Sequence, residues 1–429
     1  MKKIKLGDVL DVKRGASLSG KYYSTEGKYI RLTLGNFNYP NGGFKSNTSK
    51  KDIYFTGKID DSYILKKDDI ITPLTEQVNG LLGETAKIPE DNLYIQSGDV
   101  GLILPNEDIV DKNFLYYLIS SPLIKKQLGA SAQQTKIRHT SPDKIKKCIA
   151  WIPEIEEQRK FGSILDYITN LIENDRCLVD KLNEQIMSIY DFWFNQYQFP
   201  NIDGNPYKDN GGKFNEEGIP EKWKKVVLKD IVSNEKYSIV DGPFGTQLKI
   251  GEYDPKGNIP IYEMEQLEGN FIVKKNKNFI NEKKYEEVKR STVKNGDIII
   301  SKTGTLGLLG IVNSTYPKGI LVSRLAKITP DESKVGKYGL YLYLKKLTDT
   351  GYWLKKSNGS TMPILNNSIL ENVPFIMPDD DLYIKFEKRV APLFEQIFNA
   401  QKEIVEMSNL KEKLIPLIMN GQIKIKEVA

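Results

Sequence analysis

The sequence predicts an α+β fold in which one plan is used twice: a β-rich head followed by a long amphipathic helix, over residues 1–197 and again over 223–420. Three observations carry this. The first is a pair of matching apolar stripes. Phe161, Leu165, Ile168, Ile172, Val179, Leu182, Ile186, Ile189 and Trp193 step by threes and fours, with one place skipped at Asp175. At a constant offset of 225 residues come Phe386, Val390, Leu393, Ile397, Ile404 and Met407, then Lys411 where an apolar residue is due, Leu414 and Ile418, with Ala400 at the skipped place. Two stripes of helical period with one shared gap indicate an internal duplication. The second observation is a set of echoed strand edges. Lys5-Leu6-Gly7-Asp8-Val9 returns as Val227-Leu228-Lys229-Asp230-Ile231, and Lys67-Asp68-Asp69-Ile70-Ile71 as Asn295-Gly296-Asp297-Ile298-Ile299. The third is the stretch between the copies, 198–222, dense in Gly, Pro and Asn as a linker should be.

Taken in order, residues 1–152 form the first head. Short strand-like runs such as Tyr29-Ile30-Arg31-Leu32 and Asp69-Ile70-Ile71 are punctuated by Asn41-Gly42-Gly43 and Asn79-Gly80. A helix is expected over Lys112–Gln127, then a polar loop over Gly129–Thr140, then a short helix restarting at Ser141-Pro142. Pro153 with Glu154, Glu156 and Glu157 marks the start of the first long helix, over 153–197, with acids at the positive end of its dipole. A helix of that length reaches ~60 Å. The second head occupies 223–377 and the second long helix 378–422, with a short tail to 429. Pro392 should kink or split this helix, and Asn420-Gly421 should end it. The aromatic run Phe192-Trp193-Phe194 is more apolar than one seam requires, which leaves two readings: packing against the linker, or docking a partner.

Composition bounds the function. With 39% hydrophobic and 28% charged residues, no apolar run long enough to span a bilayer, and a start (MKKIKLGDVL) without a signal-peptide core, a cytoplasmic protein is expected. Cys148 and Cys177 are the only cysteines, which fits a reducing compartment. The net charge of +6 permits nucleic-acid binding without requiring it. Catalytic constellations are missing. The single histidine, His139, excludes a two-histidine zinc motif and makes a catalytic triad a poor reading of its Lys/Arg-rich loop. There is no C-x-x-C, and no Gly-Lys followed by Ser or Thr. No Pro-Pro pair exists to complete an amino-methyltransferase Asn/Asp-Pro-Pro-Tyr element, and Asn205-Pro206-Tyr207 reads as a turn. Neither Pro142-Asp143 nor Pro378-Asp379 is followed by the acid-x-Lys of a metal-dependent nuclease. Gly304, Gly307 and Gly310 read as a tight hairpin.

Several segments carry a family resemblance. They are Asp241-Gly242-Pro243-Phe244-Gly245-Thr246-Gln247-Leu248-Lys249, Thr303-Gly304-Thr305-Leu306-Gly307 with Lys302 ahead of it, and the helix end Leu414-Ile415-Pro416-Leu417-Ile418-Met419-Asn420-Gly421. Tyr190-Asp191-Phe192-Trp193-Phe194 and Ile219-Pro220-Glu221-Lys222-Trp223 belong with them. In this order, and doubled, they resemble the specificity (S) subunit of type I restriction-modification systems over essentially the whole chain. The first head departs from the pattern: Lys13-Arg14-Gly15 stands in place of the Gly-Pro-Phe-Gly loop and Leu74-Thr75-Glu76-Gln77 near the place of the Gly-Thr turn. The resemblance implies a non-catalytic chain with two target recognition domains, each reading half of an interrupted sequence in double-stranded DNA. It implies that the two long helices lie antiparallel as a coiled-coil spacer. It also implies docking of two methyltransferase (M) subunits, which carry S-adenosylmethionine, and a nuclease/translocase (R) subunit that joins for cleavage.

Base reading needs forked donors and acceptors near a phosphate-neutralising surface. In the first head the loop with Gln133, Gln134, Lys136 and Arg138 offers both, with Gln77 and Arg31 as further candidates, and Asn36 and Asn38 as weaker ones. Its counterpart in the second head is Lys355, Lys356, Ser357, Asn358 and Ser360. Phe244, Thr246, Gln247 and Lys249, with Lys302, Thr303 and Thr305, complete the set, although Phe244 also has a plain reading as packing beneath its loop. Two rival functions stay open: a fused modification enzyme, and a two-headed adaptor that joins proteins rather than DNA.

Overall fold

The computed structural model describes residues 1–39, 42–76, 78–131, 138–267, 269–359, 363–378 and 381–424. The chain gathers into two compact units, Met1–Leu171 with Met407–Ala429, and Ile172–Glu406. The division falls inside both long helices. Each unit therefore holds one head, part of the helix that follows that head, and part of the other long helix.

Both heads are built on the same pair of sheets. In the first, Leu10–Arg14, Val100–Pro105, Ile70–Pro73 and Ala86–Lys87 lie side by side, all antiparallel. In the second, Ile239–Asp241, Leu325–Ile328, Ile298–Ser301 and Leu309–Val312 repeat that order, and Phe271–Ile272 adds a fifth strand. The central strands Ile70–Pro73 and Ile298–Ser301 are covered on both faces, which is why they read as unbroken apolar runs rather than alternations. In each head the other sheet contains one parallel pair, Tyr29–Arg31 with Tyr94–Ile95 and Ile259–Tyr262 with Gly319–Leu321.

The echoed sequences are echoed corners. Asp8 accepts the Lys5 backbone N–H at 2.9 Å, and Asp230 accepts that of Val227 at 3.0 Å, each closing a one-turn helix. Asp69 and Asp297 do the same for Lys66 and Lys294, both at 2.8 Å. Between them Asp68 and Gly296 share a left-handed backbone, with φ of 64° and 89°. An aspartate that spans three residues to its own backbone is the usual chemistry of such turns. The head is also closed on itself in each copy. Its first strand pairs with its last: Lys2–Lys5 with Ile149–Ile152, and Lys224–Val227 with Pro374–Met377.

Two sequence expectations about helices need correction. The helix expected over Lys112–Gln127 is two, Lys112–Ile119 and Pro122–Ser131, so it also runs into the expected polar loop. Pro122 has no N–H to continue the first helix and bars helical backbone at Ser121, yet suits the first turn of the second. The second head also breaks its helix, but later, at Gly351 (φ 68°), giving Lys337–Asp349 and Tyr352–Lys356. Pro392, in contrast, does not split the second long helix, which runs unbroken over Leu382–Met419. Its missing N–H costs one bond, while Val390, Phe394 and Ile397 on either side are fully buried and hold the rod together. The helix stops as expected at Gly421, left-handed at φ 68°, with Gln422 N–H reaching back to the Leu417 carbonyl at 2.9 Å.

The first long helix covers Ile155–Tyr190 and continues as a π-helical turn over Asp191–Asn195. Within the first unit its early residues Phe161 and Leu165 share a core with Ile418 and Met419 from the end of the second helix. Within the second unit its late residues Ile186, Tyr190 and Phe194 share a core with Phe386 and Val390 from the start of the second helix. Beginning meets end in one unit and end meets beginning in the other, so the rods are antiparallel. Ile168, Ile172, Val179 and Leu182 are buried along the seam, while Leu393, Ile404 and Met407 are half-buried. The stripe shifts by one residue near its end: Tyr190 and Phe194 are buried where Ile189 and Trp193 were expected, and Phe394 where Leu393 was. The aromatic run is resolved the same way. Phe194 stacks on Tyr383 at 4.4 Å and Trp193 meets Phe386 at 5.7 Å, so both serve the helix pair, while Phe192 stays exposed. The linker is ordered by its own aromatics, with Phe199 stacked on Tyr207 and on Trp223 at 4.5 and 5.2 Å.

At the skipped place of the seam, Asp175 is half-buried, and its Oδ2 finds no hydrogen-bond donor among the described residues. Burial, with the nearby Glu403 carboxylate adding to it, pushes the Asp175 carboxyl above the usual range.

Candidate nucleic-acid interface

In each head three segments meet at one corner, and the hydrogen bonds that join them are the same in both copies. The edge strand ends at a glycine, Gly15 or Gly242, whose N–H donates to the carbonyl of Val100 or Leu325 at 3.2 or 3.0 Å. Neither glycine has room for a side chain. A Cβ on Gly15 would lie 2.1 Å from the Ser97 carbonyl oxygen, and one on Gly242 2.0 Å from that of Val322. Beside this crossing, Leu74 N–H donates to Asp99 and Lys302 N–H to Arg324, both at 2.8 Å. The third segment closes on the second, from Thr140 N–H to the Leu74 carbonyl at 2.9 Å and from Leu365 N–H to the Lys302 carbonyl at 3.0 Å. Lys13-Arg14-Gly15 thus occupies the place of the Gly-Pro-Phe-Gly strand end, and Leu74-Thr75-Glu76 the place of the Gly-Thr turn.

The side chains presented there differ. In the second head, Phe244 is 65% exposed, so it does not pack beneath its loop, and Ile250 on the same loop is 81% exposed. Thr246, Gln247 and Lys249 are exposed with it. Gln247 shapes the turn, its Oε1 accepting the Phe244 N–H at 3.2 Å. The backbone N–H of Lys249 and then the Lys284 ammonium hold the Glu252 carboxyl below the usual range, which closes the loop's far end. Thr303 is half-buried and Thr305 exposed in a hairpin fixed by Ser301, whose Oγ donates to the Thr305 carbonyl and accepts the Leu308 N–H. Lys355 and Lys356 are exposed at a helix end, where Ser357 caps back to the Leu354 carbonyl. Asn358 is exposed and exchanges two backbone hydrogen bonds with Ile364, closing the loop at its base.

Two predicted contacts prove to be parts of the frame. Arg31 is only 5% exposed; its guanidinium donates to the Asp52 carbonyl at 2.9 Å and lies 3.7 Å from the Tyr23 ring centroid. Lys302 is 7% exposed, and its ammonium is held by Asp241 Oδ2 at 2.6 Å. Charges so enclosed and paired serve packing before recognition. Asn36 is likewise buried, its side chain accepting the Thr33 N–H and donating to the Lys45 carbonyl; Asn38 is half-buried. Arg138 lies between these cases. It is half-buried on a short strand, with one Nη donating to Glu76 at 2.9 Å and to Asn79, and the other to the Gly129 carbonyl. Glu76 is buried and also accepts the Gly80 and Leu82 N–H groups, so it organises the turn as well as the arginine. Gln77, Gln133, Gln134, Lys136 and Ser360 lie outside the described residues.

The sequence reading missed Arg324. It is exposed, sits on the Val322–Leu325 turn that Gly242 and Lys302 both contact, and makes no ion pair among the described residues. Val-Ser-Arg-Leu has no motif to mark it; only the backbone bond from Lys302 brings it to the corner. No group of His, Cys, Asp and Glu that could hold a metal ion is found among the described residues, and no helix among them is long and apolar enough to cross a membrane.

Comparison with known proteins places this geometry. The family described as type I restriction modification DNA specificity domain matches residues 1–184 and 220–414. The chain is similar to the type I restriction enzyme MjaIX specificity subunit of Methanocaldococcus jannaschii, with 27% identity over 76% of this chain and 72% of that one. It is also similar to the EcoBI specificity subunit of Escherichia coli, with 21% identity over 88% of this chain and 78% of that one. Among solved structures, the S subunit of a type I restriction-modification system from M. genitalium shares the fold, with a TM-score of 0.59 over 97% of this chain and 96% of that one at 17% identity.

Proposed function

The chain belongs to the type I restriction modification DNA specificity family, and on that premise we propose that it reads an asymmetric, two-part target in double-stranded DNA, one half with each head. The observation that carries this reading is the shared corner. The frame bonds are repeated to within a few tenths of an ångström, while the loops they support differ in nearly every side chain. A common frame with unlike loops suits two sites that do the same work on different base sequences. Exposed side chains of the right chemistry stand on those loops: Gln247 with forked hydrogen-bonding groups, Lys249, Lys355 and Lys356 for phosphates, and Phe244 for apolar contact.

The chain itself supplies no chemistry to the bases in this reading. The antiparallel rods fix the separation of the half-sites, and two methyltransferase subunits dock on the chain and bring S-adenosylmethionine. A nuclease/translocase subunit joins the assembly when the system also cleaves. The residues for DNA contact are the exposed ones of the two corners, with Gln77, Gln133, Gln134, Lys136 and Ser360 on the flanking segments. Arg31 and Lys302 are set aside.

Long-read methylome sequencing of the source strain, with and without the gene, tests this directly. Loss of adenine methylation at one interrupted, non-palindromic motif supports the proposal. Methylation or cleavage of DNA by the purified chain alone overturns it. A DNA affinity that does not fall with salt would favour a protein-joining adaptor instead.

A further inference from the structure

The equivalent corners of the two heads carry opposite charges at equivalent places. Arg14 pairs with Gly101 in the first head, and Asp241 pairs with Ala326 in the second, so the strand end is basic in one and acidic in the other. The turn beside it is reversed. Asp99 accepts the Leu74 N–H in the first head, and Arg324 accepts the Lys302 N–H in the second. Arg138 of the first corner is tied to Glu76, so among the described residues each corner keeps one exposed arginine outside any ion pair, delivered from a different segment. Arg14 and Arg324 are both exposed, and neither makes an ion pair among the described residues. Arg14 is steadied over the turn by its Nε, which donates to the Gly98 carbonyl at 2.9 Å. In the second head Asp241 is neutralised by buried Lys302, so the acid of the strand end does not oppose Arg324.

We propose that Arg14 and Arg324 are equivalent phosphate anchors, one for each head, each holding the DNA backbone against the corner while neighbouring loops read bases. The inference rests on the DNA-reading function proposed above and adds the contacts that set register. Arg14, with its Nε on the Gly98 carbonyl, keeps both Nη groups for phosphate, and an exposed guanidinium outside any ion pair suits that contact. Retaining one arginine after both segments have changed charge is what a requirement for a cation at that point, rather than on a given strand, produces.

The test uses the chain copurified with its methyltransferase subunits and a duplex bearing the methylated motif. Affinity is measured across a salt series for the wild type, Arg14→Gln, Arg324→Gln and the double variant Asp241→Asn/Lys302→Met. Each arginine variant should bind about tenfold more weakly at low salt and lose about one unit from the slope of log affinity against log salt. Arg324→Lys should restore the slope, since a phosphate anchor needs the charge. Duplexes with single base changes in either half should be ranked as by the wild type. The double variant Asp241→Asn/Lys302→Met, which removes both charges of the buried pair together, should leave the slope alone. A wild-type complex that ignores the motif would sink the functional reading itself. A wild type that binds the motif, with Gln variants of unchanged slope, would overturn the anchors alone, as would a re-ranking of base preferences by Arg14→Gln or Arg324→Gln.

Discussion

Glu387 reaches from the second long helix to the amide of Gly339, its Oε1 accepting that N–H at 2.6 Å. The first repeat meets the same need from the other side: Asp111, on the head, accepts the N–H of Phe114 at 2.8 Å. Position for position, Asp111 corresponds to Gly336 and Gly162 to Glu387. Each carboxylate occupies the room left by the opposing glycine. A Cβ on Gly336 would fall 2.1 Å from Glu387 Cδ, and one on Gly162 2.7 Å from Asp111 Oδ1. The helix that opens at Lys112 or Lys337 is thus capped by an acid in both copies, but the acid has changed sides.

This exchange predicts strong coupling. Gly336→Asp alone should destabilise the protein by on the order of 2–3 kcal/mol through overpacking, and Glu387→Gly alone by about 1–2 kcal/mol through the lost cap and flexible backbone. The double variant rebuilds the first repeat's arrangement and should be more stable than either single variant predicts. Thermal or denaturant unfolding of the four proteins gives the coupling; strict additivity would refute the exchange.

Stability should also depend on pH through the same residue. Burial, with Glu332 adding to it, pushes the Glu387 carboxyl from the ordinary 4.5 up to about 7, against the Gly339 N–H that favours the charged form. The folded state then holds a proton that the unfolded chain has released. This contribution is complete below pH 4.5 and is lost as pH rises through about 7. Unfolding midpoints between pH 5 and pH 8 should fall more steeply for the wild type than for Glu387→Gln, which cannot titrate.

Phe194 has the opposite character, a large ring with no charge to lose. It stacks on Tyr383 at 4.4 Å and lies 5.0 Å from Phe386 and 6.2 Å from Trp223. Phe194→Ala should cost about 3–5 kcal/mol. Phe192→Ala, at an exposed neighbour, should change stability by less than about 0.5 kcal/mol. Calorimetry of the two variants separates them.

Phe244→Ala makes a complementary test. Because the ring is exposed, stability should be unchanged within about 0.5 kcal/mol. Binding to the methylated motif should weaken, and only through the half read by the second head. Fluorescence titration with duplexes altered in one half at a time is the measurement. Equal weakening through both halves would separate Phe244 from the site.

Glu76 should link stability and recognition in the first head. It receives the N–H groups of Gly80 and Leu82 and one Nη of Arg138. Glu76→Ala leaves buried donors unpaired, at about 1–3 kcal/mol, and should relax preference in the half-site read by the first head. Motif sequencing in a strain carrying the variant would show degeneracy in that half alone.

The seam and the echoed corners were legible because each leaves a signature along the chain. A helix seam repeats every three or four residues, and a turn closed by a carboxylate on the N–H three residues before it fixes an aspartate at that spacing, as with Asp69 and Asp297. What depends on residues far apart in sequence was not. Nothing near Lys302 announces that Asp241, sixty-odd positions earlier, will enclose it, so its charge read as a contact. Arg31 read as a contact for the same reason, since Asp52 and Tyr23, which enclose it, reach it only through strand pairing. Tyr190 and Phe194 are buried beside the half-buried Ile189 and Trp193, and which of two adjacent apolar residues turns inward depends on partners such as Tyr383 and Phe386 that lie far off in sequence. Pro122 was visible and underweighted, while Pro392 does not split its helix. The difference is burial, which holds a rod together around a single missing bond.

The ladder that ties each head's opening strand to its closing strand has a consequence for descent. Because the chain enters and leaves a head at hydrogen-bonded neighbours, Lys2–Lys5 with Ile149–Ile152 and Lys224–Val227 with Pro374–Met377, a foreign segment ending in the same two strands can be spliced in with the joint already paired. On the function proposed above, gene crossovers in those strands would exchange the half-site of one head in one step and leave both rods as they were.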